Sequence, residues 1–382
     1  MTPNKRTLYT VFLVVTFLFS APVSLEAQVI EQILTTQKSR TLRDGSHYKG
    51  DMMLMRPHGR GKMTYPDGTT YQGRFEHGKR HGEGTMTYPN GERYEGEWYK
   101  GIRHGKGTYH YTDGRRYEGD FVHDVIQGFG TMYYVNGDTY TGLWDRGERH
   151  GKGVYIWCED GSNYNGEWHR DHKQGQGRMF WLDGASYEGH WKADMRDGDG
   201  TFFYSNGDEY TGQWRDNVQH GKGEYRFADG DIYVGDYAYG VRSGYGTYIM
   251  ADGSKYVGEY RDGDIEGHGR YEMPSGEVYD GDWIQNRRHG NGTCLWPNGD
   301  VYEGEWVDDL PHGIGRMTLA DGTIYEGGFE CGLKEGYGTL TRPDGTSISG
   351  PFENDLCNGA FKEYDADGNY VKALTFVNGM QR

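Results

Sequence analysis

Seven histidines stand immediately before a Gly-x-Gly step: His58, His81, His104, His150, His220, His289 and His312. Recurring imidazoles first suggest a metal ladder. If each recurrence adds two strands to a sheet, equivalent rings lie ~9.5 Å apart. A single metal holds its ligands within ~2 Å of itself. The histidines are therefore expected to be structural loop residues, and no metal or cofactor is expected. Paired carboxylates such as Glu95/Glu97, Glu118/Asp120 and Glu303/Glu305 could serve as general acid and base. They recur as columns, which describes a solvated face and not a pocket. The Gly-x-Gly steps lack the strand-to-helix context of a phosphate loop. Lys79, Arg80, Arg103, Arg149, Arg287 and Arg288 make a discontinuous basic edge, read as solvated loop charge. Cys158, Cys294, Cys331 and Cys357 show no CxxC or Cys/His metal spacing. Cys331 and Cys357 fall in loops of adjacent units, where a spacing of ~9.5 Å strains a bridge that needs Cα atoms within ~7 Å. No catalytic, metal or cofactor-binding residue emerges, so the expectation is a protein that is not an enzyme.

These side chains are positioned by a repeat. Tyrosines occur at 48, 71, 94, 117, 140, 164, 187, 210, 233, 256, 279, 302 and 325. Every interval is 23 residues except 140 to 164, which is 24, with the extra residue near Cys158 to Asp160 beside a turn. With tyrosine as position one, positions three, twelve and fourteen are glycine in all thirteen units. A fourth glycine stands three residues before each next tyrosine, and together the columns hold 52 of the chain's 64 glycines. Glycine richness is thus a property of the repeat and not of a flexible linker. Position five is aromatic in twelve of thirteen units, Met52 being the exception. A degenerate fourteenth unit keeps Gly350, Phe352, Gly359 and Gly368 but has Ile348 in place of tyrosine.

Each unit reads as strand, loop, strand, turn. Asp-Gly or Asn-Gly precedes the next tyrosine in twelve of thirteen units, a hairpin signal because glycine supplies the positive φ. Pro-Asp-Gly suits a type I turn closed by a glycine bulge. Across such a three-residue loop Met63 falls opposite Tyr71, and Gly61 opposite Gly73. Tyrosine, position five and positions sixteen and eighteen then share one face of the sheet. The candidate binding stripe on that face is Tyr94, Trp98, Tyr117, Phe121, Tyr140, Trp144, Tyr164, Trp168, Tyr187, Trp191, Tyr210 and Trp214. The opposite face carries positions two and four, often acidic.

Composition bounds the functions. The 382 residues are 34% hydrophobic and 15% aromatic, with 33 Tyr and 10 Trp. Disordered chains are poor in aromatics, so many short strands with tight turns are the better reading. A formal net charge of -16 argues against binding that neutralises phosphates: nucleic acid is excluded as a partner and membrane lipid disfavoured.

Tyr94-Glu95-Gly96-Glu97-Trp98 and His104-Gly105-Lys106-Gly107 resemble the MORN (membrane occupation and recognition nexus) repeat, whose pattern is roughly YxGxW, HGxG, a short strand and a DG turn. The resemblance covers residues 48 to about 360. It implies an all-β fold: an elongated single antiparallel sheet, solenoid-like, of about fourteen tandem β-hairpin repeats. It also implies a scaffold or adaptor, with phospholipid association in some members. The stretch Gly359 to Tyr364, through Asp367-Gly368 and Asn378-Gly379, resembles the shorter variant common in bacteria.

The organisation expected is a signal peptide over 1–27, a linker and half-repeat cap over 28–47, thirteen repeats over 48–347, and a degenerate terminal repeat with its cap over 348–382. Lys5 and Arg6, the apolar run Leu8 to Phe19 and the small residues Pro22, Ser24 and Ala27 match a secretory signal. Twelve residues are short for a bilayer span, which needs ~20. The protein is therefore expected to be exported, to the periplasm, the cell envelope or the outside. The function expected is a scaffold for protein–protein binding or self-association. Carbohydrate or envelope-surface binding through the aromatic stripe is the alternative, with phospholipid association as a third reading by family resemblance.

Overall fold

The computed structural model describes residues 36–382, with side chains from Lys38. The expected signal peptide and most of the linker lie outside the described residues. By its internal contacts the chain forms two units, Met1–Gln127 and Gly128–Arg382. Both are built of antiparallel strands, the all-β architecture expected.

In the first unit the opening strands are β1 (Thr36–Thr41), β2 (His47–Met53), β3 (Arg56–Thr64), β4 (Thr70–Glu76) and β5 (Lys79–Thr87). Each pairs antiparallel with the next, and the meander continues to Arg116–Val122. Between β3 and β4, Met63 lies opposite Tyr71 and Gly61 opposite Gly73, the register expected from a three-residue loop. The loop is closed as the turn chemistry requires: Gly68 N–H donates to the Tyr65 carbonyl at 3.0 Å, and Gly68 has φ +87°. That is a type I turn with a left-handed glycine, a conformation closed to most L residues.

In the second unit the same meander runs to Met380–Gln381, with equivalent pairs such as Gly177 opposite Gly189 and Met179 opposite Tyr187. The extra residue of the 24-residue interval is absorbed in a longer loop, where Gly161 N–H donates to the Trp157 carbonyl at 2.9 Å.

One expectation is corrected. The segment after position five is not a loop. It is a two-residue turn followed by a nine-residue strand. Between β4 and β5 the turn is His77-Gly78, with φ +50° and +87°. Positive φ at both residues makes it a type I′ hairpin turn, whose twist matches that of the flanking strands. The histidine–glycine step lies within the second strand as a bulge. Gly73 faces Gly84 and Phe75 faces Arg80, so three residues, His81, Gly82 and Glu83, stand against Arg74 alone. Gly82 takes φ +60° to make that kink.

The core is the aromatic face. Tyr71 and Tyr164 are fully buried although each sheet is one layer thick. They are covered because each ring lies across the glycines of its own and the next strand. A Cβ added to Gly177 would come within 2.2 Å of the Tyr164 hydroxyl. The ring is also held at both edges. Tyr164 meets Trp168 at 5.2 Å and Trp191 at 5.4 Å between centroids, both near-perpendicular, a favoured aromatic geometry worth ~0.5–1.5 kcal/mol per pair. The degenerate unit preserves this packing by exchange: Ile348 is smaller than tyrosine, and Phe361 stands where other units have the position-fourteen glycine. The Phe361 ring then lies against Gly350 and is 1% exposed.

Candidate functional site

Within each unit the stripe residues share one face, but all twelve are interior residues. Tyr94, Tyr117, Tyr140, Tyr164, Tyr187 and Tyr210 are 0% exposed, and the six aromatics at position five are at most 5% exposed. Their polar atoms are occupied. The Tyr164 hydroxyl donates to the Glu167 carbonyl at 3.0 Å, and Tyr94 to Glu97 at 2.9 Å. These position-four carbonyls sit at the bulge, where no ladder partner exists, so the tyrosine satisfies an otherwise orphaned acceptor. The Trp168 indole N–H donates to the Gly153 carbonyl of the preceding repeat at 3.2 Å. Burial pushes the tyrosine hydroxyls up: Tyr233 and Tyr302 rise to about 12.

A column of cations closes the stripe from outside. Arg80 lies 4.4 Å over the Trp98 ring, Arg149 4.2 Å over Trp168, Lys173 4.3 Å over Trp191 and Arg196 4.3 Å over Trp214. Each cation thus clamps the aromatic residue of the following repeat. Several are held by the next two-residue turn: Arg149 Nε reaches Asp171 at 2.9 Å and its Nη2 donates to the Asp171 carbonyl at 2.7 Å. Burial lowers the Lys173 ammonium, a shift that neighbouring Asp194 opposes. Arg80, Arg103, Arg149 and Arg288, read as a solvated loop edge, are therefore packing residues over rings. Lys79 and Arg287 of the same pairs are exposed.

What this face leaves accessible is a second aromatic column at position eighteen. Tyr65, Tyr88, Tyr111, Trp157, Trp181, Tyr204 and Phe227 are all half-buried. They stack on position sixteen of their own or the next strand, as in Tyr109–Tyr111 at 4.7 Å and Tyr225–Phe227 at 4.5 Å. Shallow notches open between successive turns along this column. One of 530 Å³ is lined by Trp181, Leu182, Phe202 and Asp160, and one of 450 Å³ by Tyr65, Pro66, Met86 and Tyr88. Carboxylates stand beside them: Tyr155 donates to Asp138 at 2.7 Å, and Tyr225 to Asp208 at 2.7 Å. Sequence reasoning put these rings on the correct face without separating a covered column from an accessible one.

The acidic columns lie on the other face, and many are structural. Glu97 accepts from the Lys106 N–H at 2.9 Å, and Glu305 from Ile314 at 3.2 Å. The histidines before Gly-x-Gly pack on the next hairpin: His58 against His77 at 5.5 Å and His150 against His169 at 5.1 Å. Among the described residues no group of three or more His, Cys, Asp or Glu is placed to hold a metal. All four cysteines are free thiols. Cys294 lies at position sixteen on the aromatic face, and burial pushes its thiol up to about 11.

The MORN repeat pattern matches thirteen consecutive segments, from 48–70 through 325–347. No curated protein matches the chain. Among solved structures, the TCP domain of Drosophila melanogaster SAS-4 in complex with a proline-rich motif of Ana2 is 17% identical, over 53% of this chain and 90% of that one, at a TM-score of 0.25. The TCP10 domain of Danio rerio CPAP in complex with a peptide of STIL is 11% identical, over 82% and 98%, at 0.15. Virginiamycin B lyase from Staphylococcus aureus with quinupristin is 11% identical, over 80% and 96%, at 0.12.

Proposed function

The chain belongs to the MORN repeat family, and from that premise we propose that it is a non-enzymatic scaffold that binds protein partners along its accessible aromatic column. The observation that carries the proposal is the half-buried series at position eighteen. Rigid, part-exposed aromatic rings are among the anchors most enriched at protein interfaces. Repetition supplies many equivalent anchors, so affinity accumulates over several units. A partner lying on this face meets position eighteen, the turns and the cation column before it meets any of the twelve buried rings. Their role in this reading is to hold the accessible column in register.

Carbohydrate binding is the second reading, favoured by the same rings, since sugars also stack on aromatic faces. The proposal includes location: the residues around the Leu8–Phe19 apolar run direct export, and the mature chain begins near Gln28. Intact-mass measurement of natively produced protein tests that point, and a cytosolic species retaining Met1 would overturn it. For the binding claim, partners are captured with the wild-type chain and with a Trp157→Ser, Trp181→Ser, Tyr204→Ser variant. Loss of protein capture with retained melting behaviour supports the reading. Unchanged protein capture overturns it, and capture of glycans alone replaces it with the second reading.

A further inference from the structure

The face opposite the aromatic stripe changes sign at its N-terminal end. On β2, β3 and β4 it carries Lys49, Arg60, Lys62 and Arg74, around an open groove of 660 Å³ that Ser39, Gln72 and Glu83 also line. All four cations are exposed. They are also opposed to one another: Lys49 faces Lys62 across β2 and β3, and Arg60 faces Arg74 across β3 and β4. Like charges directly opposite on antiparallel strands destabilise a sheet. None of the four makes an ion pair among the described residues. Asp51, in the same repeat as Lys49, Arg60 and Lys62, commits Oδ2 to the Arg60 backbone N–H at 3.0 Å.

At positions thirteen and fifteen of other repeats most cations are compensated, Lys152 being an exposed exception. Lys106 pairs with Asp120 at 2.7 Å and Lys222 with Asp236 at 2.7 Å, and Arg178 approaches Glu188 at 3.7 Å. Arg74 also lacks a side-chain bond that six repeats make, as do Leu143 and Gly328 at the same position. At position four, Asp51, Glu97, Gln213, Asp236, Asp282 and Glu305 each accept from the backbone N–H of position thirteen. Arginine cannot accept, so its repeat forgoes that bond. In a chain of net charge -16, four cations without an ion pair, opposed in two like-charge pairs across three strands, point to a ligand.

We propose that this groove binds an extended, carboxylate-rich protein segment; the inference rests on the protein-binding reading above and names one class of partner for the opposite face. The geometry selects the class. Lys49 and Lys62 form one row across the strands, Arg60 and Arg74 a second, and Arg60 and Lys62 are two residues apart on β3. The rows are therefore ~7 Å apart, the distance between alternate side chains of an extended peptide. Glutamate or aspartate at alternate positions meets both rows, and arginine engages carboxylate bidentately. Apart from the one carboxylate, Glu83, the lining is cationic (Lys38 included), polar and glycine, without an aromatic ring for a base or sugar and without an apolar side chain to enter a bilayer.

The test uses the full-length protein and a labelled peptide with glutamate at alternate positions, followed by fluorescence anisotropy. Wild type binds, and affinity falls as salt is raised. Lys62→Gln/Arg74→Gln weakens binding about tenfold or more, while Lys106→Gln/Lys222→Gln, on ion-paired positions, stays within about twofold. Because the first variant relieves like-charge pairs, its melting temperature holds or rises, which separates lost binding from lost fold. Equal binding by both variants overturns the proposal, as does absence of peptide binding to wild type. So does tighter competition by inositol hexakisphosphate, heparin or anionic-lipid vesicles than by unlabelled peptide. Partners captured equally by Lys62→Gln/Arg74→Gln and wild type would sink the groove and leave the scaffold reading standing. Failure of the aromatic-column test would do the reverse.

Discussion

Gly166→Ala isolates the packing on which each repeat depends. Gly166 has no left-handed φ, so backbone strain contributes nothing. A Cβ there would stand 2.5 Å from the Gly177 Cα and 2.4 Å from the Tyr164 hydroxyl. The ring cannot tip aside, because Trp168 and Trp191 hold it on both edges. Overpacking of this kind costs ~1–3 kcal/mol. If the ring does shift, its hydrogen bond to the Glu167 carbonyl is lost, adding about 1 kcal/mol. A total of about 2–4 kcal/mol is expected, felt in the mutated repeat and its neighbours because the array is stabilised repeat by repeat. Gly184→Ala is the control: Gly184 has φ +89° but open space around it, so only backbone strain of ~1–2 kcal/mol applies. Denaturant melts followed by tryptophan emission, with hydrogen exchange over residues 160–195, read both variants. A Gly166→Ala protein as stable as Gly184→Ala, or exchange unchanged around Tyr164, would refute the reasoning.

Tyr164→Phe removes only the hydroxyl that serves the bulge carbonyl and should cost ~1–3 kcal/mol in a denaturant melt. Arg149→Ala uncovers Trp168 and releases Asp171, so the melting temperature should fall and the tryptophan emission shift to the red. Because burial pushes Tyr233, Tyr302 and Tyr325 up to about 12, and Tyr164 and Tyr187 in the same direction, the unfolded chain ionises first above pH ~10. Stability is then fully present below that pH and falls as pH rises, by ~1.4 kcal/mol per pH unit for each tyrosine ionised only in the unfolded state. A cooperative rise in tyrosinate absorbance coinciding with unfolding checks this. At mildly alkaline pH a thiol reagent should label exposed Cys158 and Cys331 and spare Cys294 until the protein is denatured.

The repeat, its register and its aromatic face were legible because they rest on local rules. Asp67-Gly68 fixes a three-residue loop, and that loop length alone places Met63 opposite Tyr71. The two-residue turns were missed, although His77-Gly78, Lys100-Gly101 and Asp216-Asn217 carry the glycine and asparagine that type I′ turns need. Each of these turns is followed by a His-Gly-x-Gly bulge whose glycine also takes a positive φ, so the local glycine pattern does not separate turn from strand. Burial of the stripe was not legible from alternation, which reports only which face a side chain takes. It depends on long cations of one repeat, such as Arg149, reaching over the ring of the next. The cationic groove was hidden for another reason: net charge averages over the chain, and only strand pairing brings Lys49 to Lys62 and Arg60 to Arg74.

The central claim is that partners contact the accessible column while the buried stripe supports it. Oxidative footprinting of the chain, free and with a captured partner, tests this most directly. The account predicts protection of Tyr88, Tyr111, Trp157, Trp181 and Tyr204 on partner binding, with Tyr94, Tyr164 and Trp168 unreactive in both states. Strong oxidation of Tyr164 and Trp168 in the free chain, lost when the partner binds, would contradict it.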